Sequence, residues 1–326
     1  MKLDPLKKRT HKSWAPKPIE LSIITVNYNG FADTCQMIES IRKYVKSVVY
    51  EIIVVDNASR EDEAYLLRKK YPFIRTMRSR DNLGFAGGNN LGIHIAKGKY
   101  LFFLNNDTFI KEDQFRYLIE TLETQKNAGG VCPMLRYADE DEQIQFAGFT
   151  PLTRYTLRNR SIGQGEYVSE EYLQLAETPY MHGAAMLVKR DILKRAGHMP
   201  SMYFLYYEEL DWSLSIRNAG YRLFYDPRCT VYHKESRSTG MHSPLRVFYL
   251  TRNRFLFAYR NRRFTDRFIC FLYLLLVVLP KDCLLYMLRF NFKLVAAALR
   301  GVIAYFSLNK KEKLDRYGFK YAYSMY

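Results

Sequence analysis

Along the first hundred residues, short apolar runs rich in β-branched side chains alternate with stretches whose apolar positions recur at helical spacing. Residues 21–26 form the first run, 51–55 the second, 73–77 the third and 100–104 the fourth. Runs of this length, bounded by turn residues, predict strands. Between the first two, Ile38, Ile41 and Val45 mark one face of a helix, and Asp33 with Gln36 three residues on has the form of a capping box at its start. Residues 60–70 predict the next helix, and a glycine-rich turn leads into a helix ending near Lys97. The alternation predicts an α/β domain, a mainly parallel sheet with helices on both faces. Ligands of such sheets bind beyond the carboxyl ends of the strands.

The residues that close the strands are therefore the first candidates for chemistry. They are residues 25–29 after the first strand, 56–59 after the second, and Asn105, Asn106 and Asp107 after the fourth. Asp56 ends a fully apolar run, where its carboxylate can accept hydrogen bonds from a base or a ribose. Residues 82–90 hold three glycines and three amides, a turn where backbone could approach a diphosphate closely. That stretch lacks the G-x-G-x-x-G order and follows the third strand, which argues against a dinucleotide site, and no P-loop is present. Residues 130–235 are less regular. They include a predicted helix over 208–219, with Gly220 at its C′ position, and short strands through Tyr225 and Val231. Glu208, Glu209 and Asp211 cluster at the start of that helix, and His233 closes the last strand.

Composition narrows the class. The 326 residues are 48% hydrophobic, enough for a full core, and the five cysteines show no C-x-x-C pair, which favours a reducing compartment. The net charge of +17 is unevenly placed: residues 246–326 hold 16 of the 50 Lys/Arg but only 4 of the 33 Asp/Glu. These cations flank apolar runs, residues 268–280 and 294–308, which suits an anionic lipid surface better than nucleic acid. At 13 residues, the first run falls short of the roughly 20 that a spanning helix needs. Interfacial helices are expected. Residues 1–18 are basic and proline-containing without an apolar continuation, and predict a loose arm.

Six segments, in order, resemble family 2 glycosyltransferases of the GT-A fold, in particular the bacterial rhamnosyltransferase-like branch. They are Ser22-Ile23-Ile24-Thr25-Val26-Asn27-Tyr28-Asn29, Val54-Val55-Asp56-Asn57-Ala58-Ser59, residues 82–90, residues 104–108, Gly183-Ala184-Ala185-Met186, and residues 206–212. The resemblance covers residues 20–260. It implies a catalytic domain over 19–245, divided into a nucleotide-binding half (19–110) and an acceptor half (111–245), with 246–326 as a helical membrane-associating region.

It also assigns roles. Thr25, Val26, Tyr28 and Asp56 would hold the donor nucleoside, while Asn82, Gly84, Gly87, Asn90, Asn105 and Asn106 would shape the nucleotide pocket. Asp107 stands at the last carboxylate of the family's D-x-D metal motif, whose first position is here Asn105, and His233 lies where some members supply a metal ligand. The cation would be Mg2+ or Mn2+. Glu209 matches the second residue of the family's E-D pair, the catalytic base, with glutamate in place of aspartate. Glu208 and Asp211 would support it, and the helix N-terminus would tend to keep all three ionised. The implied reaction is inverting transfer from a nucleotide-sugar donor, dTDP-rhamnose or a UDP-hexose, to a glycan or lipid-linked acceptor. It would take place on the cytoplasmic face of the membrane, peripherally attached. Two other readings are an inactive binding subunit and a nucleic-acid-binding protein. Joint retention of Asp56, Asp107, Glu209 and His233 weighs against the first, and the lipid-like charge pattern against the second.

Overall fold

A computed structural model of the protein describes residues 18–139, 143–234 and 243–314. The expected basic arm, apart from Pro18, lies outside the described residues. The first half follows the predicted alternation: β1 (Leu21–Asn27), α1 (Phe31–Tyr44), β2 (Tyr50–Asp56), α2 (Glu63–Lys70), β3 (Arg75–Arg78), α3 (Gly84–Ile95) and β4 (Tyr100–Leu104). Then come β5 (Thr108–Phe109), α4 (Phe115–Thr124), β6 (Ala128–Tyr137), β7 (Ile144–Phe146), β8 (Ala176–Glu177), β9 (Ala185–Lys189), α5 (Leu193–Ala196), α6 (Glu208–Asn218) and β10 (Arg222–His233).

The strand order is β3-β2-β1-β4-β9-β6-β10-β5, with β7 beside β6 and β8 beside β10. Only the first four are parallel throughout. β9 runs antiparallel to both β4 and β6, and β5 antiparallel to β10, while β6 and β10 pair in parallel, so the expected mainly parallel sheet is a mixed one with antiparallel strands set into it. The reversal has a use: it brings the start of β9 to the same edge as the end of β4. The expected short strands at Tyr225 and Val231 are one strand, β10, with an irregular register between Asp226 and Thr230.

Two local expectations are corrected. The Asp33–Gln36 pair is no capping box, because α1 already begins at Phe31 with Gly30 as its cap residue and no side-chain cap. Asp33 lies inside the first turn, and its Oδ1 takes a hydrogen bond from Lys234 Nζ at 2.5 Å. The glycines of residues 82–90 form the body of α3 instead of a loop ahead of it. A Cβ on Gly88 would lie 2.8 Å from both methyls of Val26, and one on Gly92 would lie 2.3 Å from Ile24 Cγ2. These glycines let the helix lie close against β1.

Beyond the sheet, α7 (Pro244–Asn261) is followed by α8 (Phe264–Tyr273), a π turn (Leu274–Val278) and α9 (Leu279–Leu288), then α10 (Phe292–Ser307) and α11 (Lys310–Leu314). Residues 264–288 form one continuous helix of 25 residues with hydropathy 2.2, long and apolar enough by length and composition to cross a membrane. The expectation of a 13-residue apolar segment ending at Pro280 is thus corrected. Proline lacks an N–H and its ring would press on the carbonyl of Leu276 in an unbroken α-helix; the wider π turn just before it opens the ladder. One face of this helix (Cys270, Leu274, Val278) packs with Phe255, Tyr305 and Tyr203 in a second core. The other is bare: Phe268, Leu276 and Leu288 are 58%, 69% and 67% exposed.

Candidate active site

The carboxyl ends of β1, β2 and β4, the start of β9 and the start of α6 surround a cleft. Its deeper part, of about 270 Å³, is lined by Asn105, Asp107, His182, Glu208, Glu209 and His233 among others. On the donor side, polar side chains at the strand ends hold one another. Asn57, after β2, accepts from Leu83 N at 3.0 Å and donates to Asn82 Oδ1 at 2.9 Å and to the Gly84 carbonyl at 3.0 Å. Asn82 Oδ1 also accepts from Gly84 N. Glu63, from α2, accepts from Asn27 Nδ2 at 2.7 Å and Gly30 N at 3.1 Å, fixing the loop after β1. Nothing in the sequence singled out Glu63.

Within this frame two buried polar atoms lack hydrogen-bond partners, Thr25 Oγ1 and Asp56 Oδ2. Asp56 Oδ1 accepts from Ser59 N at 3.1 Å, and Arg78 Nε stands 3.5 Å from Oδ2. Buried groups of this kind normally find hydrogen-bond partners, which makes these two atoms candidates for contact with a ligand. Val26 is half-buried beneath Gly88, and Tyr28 is exposed. Asn106 donates to Thr34 Oγ1 at 3.1 Å. Asn90 is not aimed at the strand ends, since its amide donates to the Met199 carbonyl at 2.9 Å. Gly87 is buried within α3 against Leu83.

Across the cleft, Asp107 Oδ1 lies 3.2 Å from His233 Nε2, and Asn105 Nδ2 is 3.4 Å from the same nitrogen. His233 Nδ1 meets Gln145 Oε1 at 2.9 Å. An amide oxygen only accepts, so with the amide assigned this way the Nδ1 proton points at Gln145. In neutral His233, Nε2 is then an acceptor facing Oδ1, which itself has no hydrogen-bond partner. Two acceptors this close fit a cation between them. With His233 protonated instead, its Nε2–H donates to Oδ1, and that hydrogen bond and charge outweigh the burial of Asp107 and hold its carboxyl below the usual range. Among the described residues no cluster of three or more His, Cys, Asp or Glu could hold a metal alone. Two protein ligands completed by phosphate oxygens suit a hard divalent ion. His182, unmarked by the sequence, is neutral beside His233: burial, then the charge of His233, lower its pKa to about 3.

Glu209 faces this pair from α6, and burial raises its carboxyl to about 7. Glu208 is more deeply buried, with Oε2 unpartnered, and burial plus the charge of Glu209 push it well above the ordinary range. Desolvation thus raises both carboxyls against the pull of the helix terminus. Asp211 is not brought to the cleft. It points the other way, bonded to Tyr203 Oη at 2.6 Å and Arg260 Nε at 2.5 Å.

The segment entering α6 is strained. Phe204, Tyr206 and Tyr207 all have left-handed backbone, with φ of 65°, 69° and 76°, a conformation non-glycine residues rarely hold unless their surroundings impose it. Helix α7 imposes it. The buried Asn253 amide nitrogen lies 3.0, 2.7 and 2.8 Å from the carbonyls of Tyr203, Leu205 and Tyr206, and Arg252 Nη2 donates at 2.7 Å to those of Met202 and Tyr203. From the donor side, Phe85 N donates to the Phe204 carbonyl at 2.7 Å, an approach open because Gly84 has no side chain.

Residues 22–197, more than half of the chain, match the family model described as glycosyl transferase family 2. The chain belongs to this family. Among its relatives are a low-salt glycan biosynthesis hexosyltransferase of Haloferax volcanii, 27% identical over 73% of this chain and 75% of the relative. Another is an N-acetylglucosaminyl-diphospho-decaprenol L-rhamnosyltransferase of Mycobacterium tuberculosis, 21% identical over 68% and 78%. These support the rhamnosyltransferase-like branch of family 2. A solved structure of a Pyrobaculum calidifontis mannosyltransferase with GDP-Man and Mn2+ aligns with TM-score 0.53 and 16% identity over 93% of this chain and 81% of that one, a shared GT-A fold. Glu208, Glu209 and His233 lie beyond the segment matched by the family 2 model.

Proposed function

We propose that the protein is an inverting glycosyltransferase that moves a sugar from a nucleotide-diphosphate donor to a hydroxyl of a glycan or lipid-linked acceptor in surface polysaccharide synthesis. The observation that carries this is the cleft itself: a carboxyl group that burial raises to about 7 faces the Asp107–His233 pair, whose Oδ1 and Nε2 are 3.2 Å apart. A base needs a pKa near the working pH to accept a proton efficiently. Glu209 takes the acceptor hydroxyl's proton as that oxygen bonds to the anomeric carbon, and the bond from that carbon to the diphosphate breaks on the opposite face. Asp107 and His233, with Asn105 beside them, would hold a divalent cation, which supplies charge neutralisation for the departing diphosphate. Thr25 and Asp56 offer the open hydrogen-bond atoms for the nucleoside. The relatives named for hexosyl and rhamnosyl transfer support a hexose or rhamnose as the sugar moved, and the donor we propose is dTDP-rhamnose or a UDP-hexose.

Attachment to the cytoplasmic face of the membrane, through the bare side of residues 264–288, completes the proposal. The deciding experiment is a thermal-shift series with UDP, dTDP and GDP, each with and without Mn2+. A ligand that binds the folded chain raises its Tm. One nucleotide should do so with a metal-dependent increment that Asp107→Ala removes. Absence of any shift would reject the reading.

A further inference from the structure

Outside the cleft, the second core encloses a cavity of about 280 Å³ between α7, α10 and the long apolar helix. Its walls include Leu250, Leu274 and Val278, the last two from the π turn. Short π segments often mark functional sites, because they widen the helix and leave room beside it. Two cations line the cavity as well, the exposed Arg158 and the half-buried Arg254. Arg254 reaches the Thr156 carbonyl through Nε and Nη2, leaving Nη1 without a partner, and the Arg158 side chain makes no ion pair or hydrogen bond among the described residues. The carboxylate that also lines the cavity, Asp282, pairs with Lys281 at 3.3 Å, and its charge also reaches Arg254. Two guanidinium groups at the mouth of an apolar cavity form an amphiphile's complement: an apolar chain inside and a phosphate outside.

The position links this cavity to the reaction. Tyr207 lines it, and Tyr207 is the residue immediately before Glu208 and Glu209. The Tyr207 hydroxyl lies within the fields of Arg254, Glu209 and Arg158 together. We propose that this cavity binds the lipid anchor of the acceptor: the first part of an apolar chain enters between α7 and the π turn, and its phosphate or diphosphate pairs with Arg158 and Arg254. A sugar joined to that phosphate then extends past Tyr207 towards Glu209, while the rest of the chain leaves along the bare face of residues 264–288. The assignment rests on the transfer reading above and narrows its acceptor to a lipid-phosphate-linked sugar.

The test uses the full chain in detergent and four probes followed by calorimetry: farnesyl diphosphate, farnesol, inorganic pyrophosphate and phosphatidylglycerol vesicles. Farnesyl diphosphate should bind at least about tenfold more tightly than either pyrophosphate or farnesol, and phosphatidylglycerol should not displace it. Arg158→Gln should weaken it about tenfold, the effect of one charge-assisted contact. Val278→Trp, which fills the cavity, should erase the advantage of the chain. Arg158 is exposed, so its variant decides the matter if Val278→Trp does not fold. Equal binding of pyrophosphate, displacement by phosphatidylglycerol, or unchanged affinity in Arg158→Gln would each overturn the assignment. If the wild-type chain shows its nucleotide-dependent Tm shift but binds no farnesyl diphosphate, this assignment fails and the transfer reading stands. If no nucleotide shifts Tm, both fall.

Discussion

The two sides of the cleft are built on opposite plans. The donor side lies on parallel strands, and its frame is two sets of hydrogen bonds between adjacent strand ends: Asn57 with Asn82 and Gly84, and Glu63 with Asn27 and Gly30. The base side is a strained segment that would not hold its shape alone, kept in place by a helix some fifty residues further along the chain. The difference follows from the tasks. Nucleotide recognition needs open hydrogen-bond atoms on a stable floor, and neighbouring strand ends of one parallel sheet supply that. A base must sit in a desolvated spot at one position relative to the reacting carbon, and strain held from a distance is one way to fix it.

The sharpest way to separate the two sides is Glu209→Gln, which keeps the shape and removes the base. Turnover at saturating substrates should fall about a hundredfold or more, with donor affinity unchanged. Glu208→Gln should cost less, and near wild-type turnover in Glu209→Gln would move the role to a neighbour. Next, Asn253→Ala strips the amide from three carbonyls. It should reduce turnover about tenfold with donor KM held, and lower stability to urea by about 2 kcal/mol. A proportional loss of donor affinity would show that the two sides are not separable.

The pH profile gives a smaller, graded effect. Turnover should rise tenfold per unit below pH 7 and level off above it, because Glu209 must lose its proton to act and burial sets that loss at about 7. Its contribution to stability runs the other way. A carboxyl raised on folding adds stability that is fully present below its unfolded pKa of about 4.5 and is lost as pH climbs to about 7. Glu209→Gln should flatten both curves. Least of all, Gly88→Ala on the donor side should cost about 1–3 kcal/mol by crowding Val26, with the pH midpoint of turnover unmoved.

Much of the donor side was legible in the sequence because β-branched runs and the polar residues closing them are local signals. Asp56, Asn105 and Asp107 stand at strand ends as expected. What escaped was spatial. The glycines of α3 look the same in sequence whether they free a loop or thin a helix, and only the neighbouring Val26 and Ile24 decide. Asp33 and Gln36 had the letters of a cap one turn too late. Asp211 shares the acidic start of α6, but its side chain turns to Arg260, a partner 49 residues away. Gln145, which orients His233, sits in a three-residue strand with no motif around it. Asn253 carried no signal either, being one amide in a basic, aromatic helix. The extent of the apolar helix was misjudged because Pro280 reads as a stop unless a π turn precedes it.

The hold of Asn253 on the chain entering α6 bears on how such proteins can be recombined. The family 2 match ends at residue 197, and the composition changes at about residue 245, so either looks like a natural seam at which one membrane-facing tail could be exchanged for another. Neither is one. A cut at residue 245 severs α7, and with it the support of the loop that carries Glu209 into place. The heritable unit of this enzyme therefore extends at least through Asn261, and a tail grafted after that helix has a far better chance of leaving the chemistry intact than one grafted before it.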